Sequence, residues 1–265
     1  YILYPLDKNI SLHHLFSSTM IGYFGNGILF FRFGEILKAY SISQDNKITT
    51  SESFGIIMLE RVIDALTVLI LLLMFLPWMP IQNITINYWV SAFAVVTVFF
   101  TLIILILRKI NWKNFITSLS FINESFRSLL VSMMEKIFDG IDAIKNTKHT
   151  WGILISTFLI WICYYLMTVW LLESCQIYLT LSGAFIMLLM GAIIIAVPAL
   201  PGGLGTYEAG ITFTLMLLFY VTKDEALTYA IVSHASNYFP YIIVGSIYFI
   251  ISGLKISDIK NKANS

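Results

Sequence analysis

The stretch "AVPALPGGLGTYEAG", Ala196–Gly210, breaks one of the most apolar regions of the chain. Its backbone-breaking residues are Pro198, Pro201, Gly202, Gly203 and Gly205. Proline lacks a backbone N–H and ends a helix, while glycine permits positive φ. Glu208 is the only Asp, Glu, Lys or Arg between positions 174 and 222. The stretch therefore predicts that one helix stops at the prolines, that another begins near Thr206, and that a lone carboxylate lies in its first turn.

Composition places this break in a membrane protein. The 265 residues are 58% hydrophobic and 12% charged, with a mean hydropathy of +0.83, whereas a soluble domain carries about 25% charged residues. We therefore expect an all-α polytopic transmembrane helical bundle, a single domain over residues 1–265. The net charge of +1 implies no nucleic-acid partner. The two cysteines have no metal-ligand spacing, so neither a metal nor another cofactor is expected.

About seven membrane segments are predicted. A span needs roughly 20 apolar residues. The stretches of that length are 12–31, 54–77, 88–108, 151–172 and 227–252. Two shorter stretches, 182–198 and 206–221, flank the break, and they form either two short spans or a pair that re-enters from one side.

The basic residues predict the orientation of these segments. Lys and Arg concentrate in residues 32–52, 108–150 and 253–265, while the connections between them hold only Lys223. Since basic loops stay on the cytoplasmic side, these three segments are predicted to be cytoplasmic. Within the second, residues 111–149 have apolar residues at helical spacing, which predicts a cytoplasmic amphipathic helix. It lies either on the membrane face or against the ends of the bundle.

Two charged clusters precede the break. Arg32 and Glu35 are three residues apart, which is typical either of a basic anchor at a helix end or of a cationic entrance for an anionic head group. Glu60, Arg61 and Asp64 enter an apolar helix together. A charge at the centre of a span costs about 2.5–3.5 kcal/mol, so such groups usually face the bundle interior or a wet cavity. This cluster indicates either a structural ion pair or a substrate site.

Two further features complete the candidate site. The helix that restarts near Thr206 presents free N–H groups and a positive dipole end, which suit either an anion or the carboxylate of Glu208 itself. We predict that Glu208 faces a polar cavity shared with Arg61 or Asp64. His234 and Asn237 lie on the last span, where a hydrogen-bonding or packing role is favoured over a substrate role.

Three of these blocks together resemble one family. They are Arg32-x-Gly34-Glu35, then Glu60-Arg61-x-x-Asp64, then Pro198-x-x-Pro201-Gly202-Gly203-x-Gly205-x-x-Glu208. In this order and spacing they resemble the lysylphosphatidylglycerol synthase transmembrane, or flippase-like, family, over nearly the whole chain. The resemblance implies residence in the plasma (inner) membrane and movement of aminoacylated phosphatidylglycerol between leaflets. One branch is linked to dolichol-based glycosylation, which makes polyprenyl phosphate another candidate.

The chain departs from the family pattern at two positions. Phe30 stands where a proline is common, and Lys38 where an arginine is common, which keeps the charge but loses the bidentate fork. Family members usually have further spans before the first block, so the resemblance predicts that the chain is truncated at its N-terminus.

The predicted function is that of a lipid flippase. Its partners would be membrane lipids, namely anionic or aminoacylated phospholipid or polyprenyl phosphate, with a homo-oligomer as an alternative to a monomer. The predicted substrate-binding residues are Arg32, Glu35, Glu60, Arg61, Asp64, Pro201, Gly202, Gly203, Gly205, Glu208, His234 and Asn237. No Walker motif is present, so a gradient, a partner or equilibration would drive movement. The alternatives are a membrane enzyme of lipid-linked glycosyl transfer and a non-transporting scaffold.

Overall fold

The fold is helical. The computed structural model describes residues 9–44, 46, 48–75, 149–197 and 200–254, with residues 3 and 7 and isolated positions between 95 and 135. The described residues contain no strand, which confirms the all-α prediction. The α-helices are α1 (Leu12–Ile28), α2 (Gly34–Ser43), α3 (Thr50–Phe75), α4 (Thr150–Ser174), α5 (Leu181–Ala196), α6 (Thr206–Phe219) and α7 (Lys223–Ile251). Two 3₁₀ turns occupy Phe30–Arg32 and Pro201–Gly203. The predicted span 88–108 and the amphipathic segment 111–149 lie, apart from isolated residues, outside the described ranges.

Reciprocal caps start the two longest helices. At the start of α3, the Glu52 carboxylate accepts the backbone N–H of Thr49 at 2.7 Å, and the Thr49 hydroxyl accepts the N–H of Glu52. At the start of α7, Thr222 and Glu225 repeat this arrangement. Such a box satisfies N–H groups that the first turn leaves free. In the sequence, Thr49 and Glu52 have the spacing of a capping box, which predicts a helix start near residue 50, and α3 begins there.

The first half of the chain forms a helical hairpin that the sequence did not predict. After α1, the chain turns at Phe30–Arg32 and α2 runs back along α1. Ser18 of α1 and Ser41 of α2 share a buried hydrogen bond at 2.9 Å. A Cβ atom at Gly34 would lie 2.1 Å from the carbonyl oxygen of Gly22, so the absence of a side chain permits this approach. The predicted basic segment 32–52 thus contains a helix, Gly34–Ser43, most of whose residues are buried.

The third helix follows the first hairpin and runs back alongside α2. Ile42 near the end of α2 packs against Ile57, about two turns into α3. Lys38 of α2 reaches Glu60 of α3. Because α2 is antiparallel to both neighbours, α3 runs in the same direction as α1.

The second hairpin consists of α5 and α6. A Cβ atom at Gly210 of α6 would lie within 3.0 Å of the Ile194 side chain of α5. Beside it, α7 runs antiparallel to α6 around a core that includes Leu215, Tyr229 and Ala230, each at most 3% exposed. At 16 and 14 residues, α5 and α6 are about 24 and 21 Å long, shorter than the hydrocarbon core of about 30 Å.

The two hairpins meet at their turns. The Arg32 guanidinium donates to the carbonyl oxygen of Ile195. The helix α7 lies antiparallel to α1, with Tyr248 beside His13 at one end and the Tyr238 hydroxyl donating to the carbonyl oxygen of Gly27 at the other. The turns after α1 and after α5 therefore face each other in the middle of the molecule.

One described helix, Thr150–Ser174, has both the length and the apolar composition to cross a membrane. Most of its large apolar side chains are exposed, among them Trp151, Phe158 and Trp170. In α3, the charges at Glu60, Arg61 and Asp64 interrupt the apolar sequence.

Candidate functional site

A cavity of about 260 Å³ lies where the two hairpin turns meet α3 and α7. Since a water molecule occupies about 30 Å³ of the liquid, the cavity has room for several waters or a small polar group. Seven of the predicted site residues line it: Arg32, Glu35, Arg61, Gly202, Gly203, His234 and Asn237. The other five, Glu60, Asp64, Pro201, Gly205 and Glu208, are not among its lining residues.

On the side of α3, Arg61 lines the cavity and a network of charges lies behind it. Lys38 Nζ donates to Glu60 at 2.9 Å, Arg61 donates to Glu60, and Arg61 also reaches Asp64 at 3.3 Å. Arg61 Nε is buried and has no hydrogen-bond partner among the described residues. Two carboxylates therefore bind the Arg61 guanidinium, and its Nε remains a donor without an acceptor among the described residues. Lys38 stands three residues after Glu35 in the sequence, but the structure pairs it with Glu60.

Glu35 is the acid of the cavity wall. It lies in the first turn of α2, where the positive end of the helix dipole stabilises a carboxylate. Its residue is 9% exposed, and Asn26 Nδ2 of α1 donates to it at 3.3 Å. The cavity thus presents a carboxylate and two guanidinium groups, Arg32 and Arg61, at short range. Such a wall can bind an anionic group, or a group that carries both a negative and a positive charge.

The broken segment forms the opposite wall. Gly202, Gly203 and Gly205 have φ values of 64°, 77° and 78°, which other residues rarely adopt. The helix α6 then begins at Thr206, as predicted. The backbone N–H of Gly205 is not free to bind a ligand, because it donates to the Glu208 carboxylate at 2.7 Å.

Glu208 lies behind the cavity wall. Its Oε1 is 2.5 Å from Nδ1 of His234, and His234 Nε2 donates to the carbonyl oxygen of Gly202 at 2.9 Å. The prediction that Glu208 faces a cavity shared with Arg61 or Asp64 is therefore corrected, because His234 stands between. The hydrogen-bonding role favoured for His234 is the one observed.

One proton lies between His234 and Glu208. Nε2 must carry a hydrogen, because the carbonyl oxygen of Gly202 can only accept. Nδ1 then donates to an ionised Glu208 or accepts from a protonated one. Either way, the pair ties the turn after α5 to α7.

Sequence reasoning missed four polar residues of the cavity. These are Tyr23, Asn26, Tyr238 and Tyr241. In the sequence, Asn26 stands between Gly25 and Gly27, and this pattern indicates only a weak helix end. The three tyrosines could not be singled out from the sequence, because aromatic residues make up 15% of the chain.

Comparison with known protein families agrees with the resemblance seen in the sequence. The family model for the lysylphosphatidylglycerol synthase TM region matches residues 1–245. The chain belongs to this family. No curated protein and no solved structure matches it.

Membership identifies the chain as an integral membrane protein of a family related to lipid modification or translocation. Large exposed apolar side chains, such as those of α4, are expected of a membrane protein, whose surface meets lipid. The polar cavity lies between helices, which is where such a protein is expected to hold charged groups and irregular backbone.

Proposed function

We propose that this member of the family is a multi-pass lipid translocator of the plasma membrane. In this proposal a polar head group passes through the cavity between the two turns while the lipid tails stay in the bilayer. The observation that carries it is the charged cavity itself, bounded by broken backbone on one side and by Arg61 on the other. Broken helices at the bilayer midplane are a common way for transporters to build a binding site.

The charges of the wall support a phosphate-containing head group. Arg32 and the unpartnered Nε of Arg61 are donors for an anion, and guanidinium groups suit phosphate oxygens. Glu35 would accept an amine of the same head group. We therefore propose anionic or aminoacylated phospholipid as the substrate, with polyprenyl phosphate as the alternative that uses the two arginines alone.

The dimensions of the hairpins also support this role. Neither α2, of 10 residues, nor α6, of 14, is long enough to cross the hydrocarbon core alone. Two re-entrant hairpins with facing turns would place the cavity near the midplane. A scaffold would instead need its buried charges to pair only with each other, and Arg61 keeps a free donor.

The experiment is transbilayer lipid movement in proteoliposomes that contain fluorescent phosphatidylglycerol. We expect Arg61→Ala to slow movement at least about tenfold, since a charged hydrogen bond contributes about 1.5–3 kcal/mol. Glu225→Gln is the matched control, because Glu225 caps α7 and is not among the cavity-lining residues. Equal rates for Arg61→Ala, Glu225→Gln and the unaltered protein would rule out this site.

A further inference from the structure

The described chain contains the same arrangement twice. Each half has a helix, a sharp turn, a shorter helix packed back on the first, and then a long helix. In the first half these are α1, α2 and α3, and in the second they are α5, α6 and α7. Since α7 is antiparallel to α1, and each short helix is antiparallel to its two neighbours, the second half runs in the opposite direction to the first.

The sequence repeats at a constant interval. Glu35 and Glu208 are 173 positions apart (208 − 35), and each lies in the first turn of its short helix. The same interval joins four more pairs: Thr49 with Thr222, Glu52 with Glu225, Arg61 with His234, and Asp64 with Asn237. The first two pairs form the capping boxes that start α3 and α7. The two halves therefore align without a gap from the start of the short helix into the long helix.

The buried faces repeat at the same interval. In α3 the buried residues just after the cap are Ser53, Gly55, Ile56 and Ile57. Three of their four counterparts in α7 are buried too, namely Ala226, Tyr229 and Ala230, while the counterpart of Gly55, Thr228, is exposed. A match of burial, caps and acids together is not expected from two unrelated hairpins. The halves are repeats of inverted topology, which many transporters use to build two alternating states around one site.

The two halves differ in the contact between the short-helix acid and the long-helix base. In the second half, the short-helix acid Glu208 is bonded to His234 of the long helix at 2.5 Å. In the first half, the equivalent acid Glu35 accepts from Asn26, while Arg61 contacts Glu60 and Asp64. Glu35 and Arg61 both line the cavity, whereas Glu208 is behind its wall. We call the acid–base pair closed in the second half, where the two side chains are in contact, and open in the first, where they are bonded to other residues.

We propose that these two pairs alternate: in a second state Glu35 binds Arg61 and closes the first half, while Glu208 releases His234 and opens the second. This rests on the proposed transport function and gives it a mechanism. Because the halves are equivalent but inverted, exchanging their conformations moves the cavity opening from one side of the membrane to the other. The two states then differ in which acid is bound, so each acid stabilises a different state.

The test uses a reporter cysteine on the cavity wall. Leu200→Cys is placed in a chain with Cys163→Ala and Cys175→Ala, and its labelling by a membrane-impermeant maleimide is measured in right-side-out and inverted vesicles. The ratio of the two labelling rates reports which side is open. Glu208→Gln removes the charge of the closed pair, and Glu35→Gln removes the charge of the pair in the second state. We expect them to shift the ratio in opposite directions, each by about fivefold or more.

Controls keep the result decisive. Glu52→Gln and Glu225→Gln, the equivalent capping acids, should leave the ratio unchanged. His234→Gln should repeat the effect of Glu208→Gln, and Arg61→Gln that of Glu35→Gln, which covers a variant that fails to fold. Shifts in the same direction, or no shift, would overturn the alternation. Opposite shifts without lipid movement in proteoliposomes would refute the lipid function alone, and lipid movement without opposite shifts would refute the alternation alone.

Discussion

Glu208 and His234 lie in contact at 2.5 Å although 26 positions separate them, and they join the turn after α5 to the last helix. The histidine is 8% exposed in its side chain and the glutamate 21%. Between them they satisfy the N–H of Gly205 and the carbonyl oxygen of Gly202. The shape of the broken segment therefore depends on this pair as well as on its glycines.

Removing the carboxylate should loosen the second hairpin. Glu208→Ala loses the bonds to His234 and to the N–H of Gly205, and a hydrogen bond to a charged group contributes about 1.5–3 kcal/mol. We expect a lower unfolding temperature in detergent, measured by differential scanning fluorimetry. Glu208→Gln keeps one acceptor oxygen and should lie between Glu208→Ala and the unaltered protein. An unfolding temperature unchanged by Glu208→Ala would show that the pair does not hold the segment.

Close packing in the first hairpin should make Gly34 intolerant of a side chain. In Gly34→Ala, the new Cβ would lie 2.1 Å from the carbonyl oxygen of Gly22, and overpacking of this kind costs about 1–3 kcal/mol or more. Gly191→Ala is the matched control, because its nearest neighbour would be at 3.6 Å, and alanine favours a helix by about 1 kcal/mol over glycine. We expect thermal unfolding to occur earlier for Gly34→Ala and no earlier for Gly191→Ala. The reverse order would contradict the hairpin.

The ion pair between Lys38 and Glu60 should show strong coupling. Lys38 is 8% exposed, and Lys38→Met leaves Glu60 with Arg61 as its remaining cation. Removing one partner of a buried pair costs about 3–5 kcal/mol, and less where solvent reaches the other partner, as it does here. The double variant Lys38→Met/Glu60→Gln should recover part of this loss. A double-mutant cycle on unfolding free energies measures the coupling, and additive effects would show that the two residues act independently.

Arg61 should need its fork geometry as well as its charge. It contacts Glu60 and Asp64 while its Nε stays free. A lysine has one ammonium group and cannot hold two carboxylates and a further acceptor in a fixed plane. We expect Arg61→Lys to remain as slow as Arg61→Ala in transbilayer movement, within about threefold, which corresponds to less than 1 kcal/mol. Full recovery with lysine would show that charge alone is sufficient.

Local signals in the sequence predicted part of this structure. The capping pair of Thr49 and Glu52 and the proline-glycine break placed the starts of α3 and α6, because both depend on residues close in sequence. The return of α2 along α1 depends on a contact between Gly34 and Gly22, which neither composition nor periodicity indicates.

The sequence indicated which residues line the cavity better than it indicated which of them contact each other. Seven of the predicted residues line the cavity, because a charge in an apolar helix must face a polar interior. Their partners depend on the packing of helices distant in sequence, so Lys38 meets Glu60 and Glu208 meets His234. The role of these residues in substrate binding stays a prediction.

The central claim is that the cavity between the two turns holds a polar lipid head group. The direct measurement is quantitative mass spectrometry of the phosphate-containing lipids that remain with the purified protein. The unaltered chain and the control Glu225→Gln should retain the same lipid in the same amount. Arg61→Ala, which removes the free donor, and Asn237→Trp, which fills the cavity, should both lose it. Retention of the same lipid by all four proteins would contradict the claim.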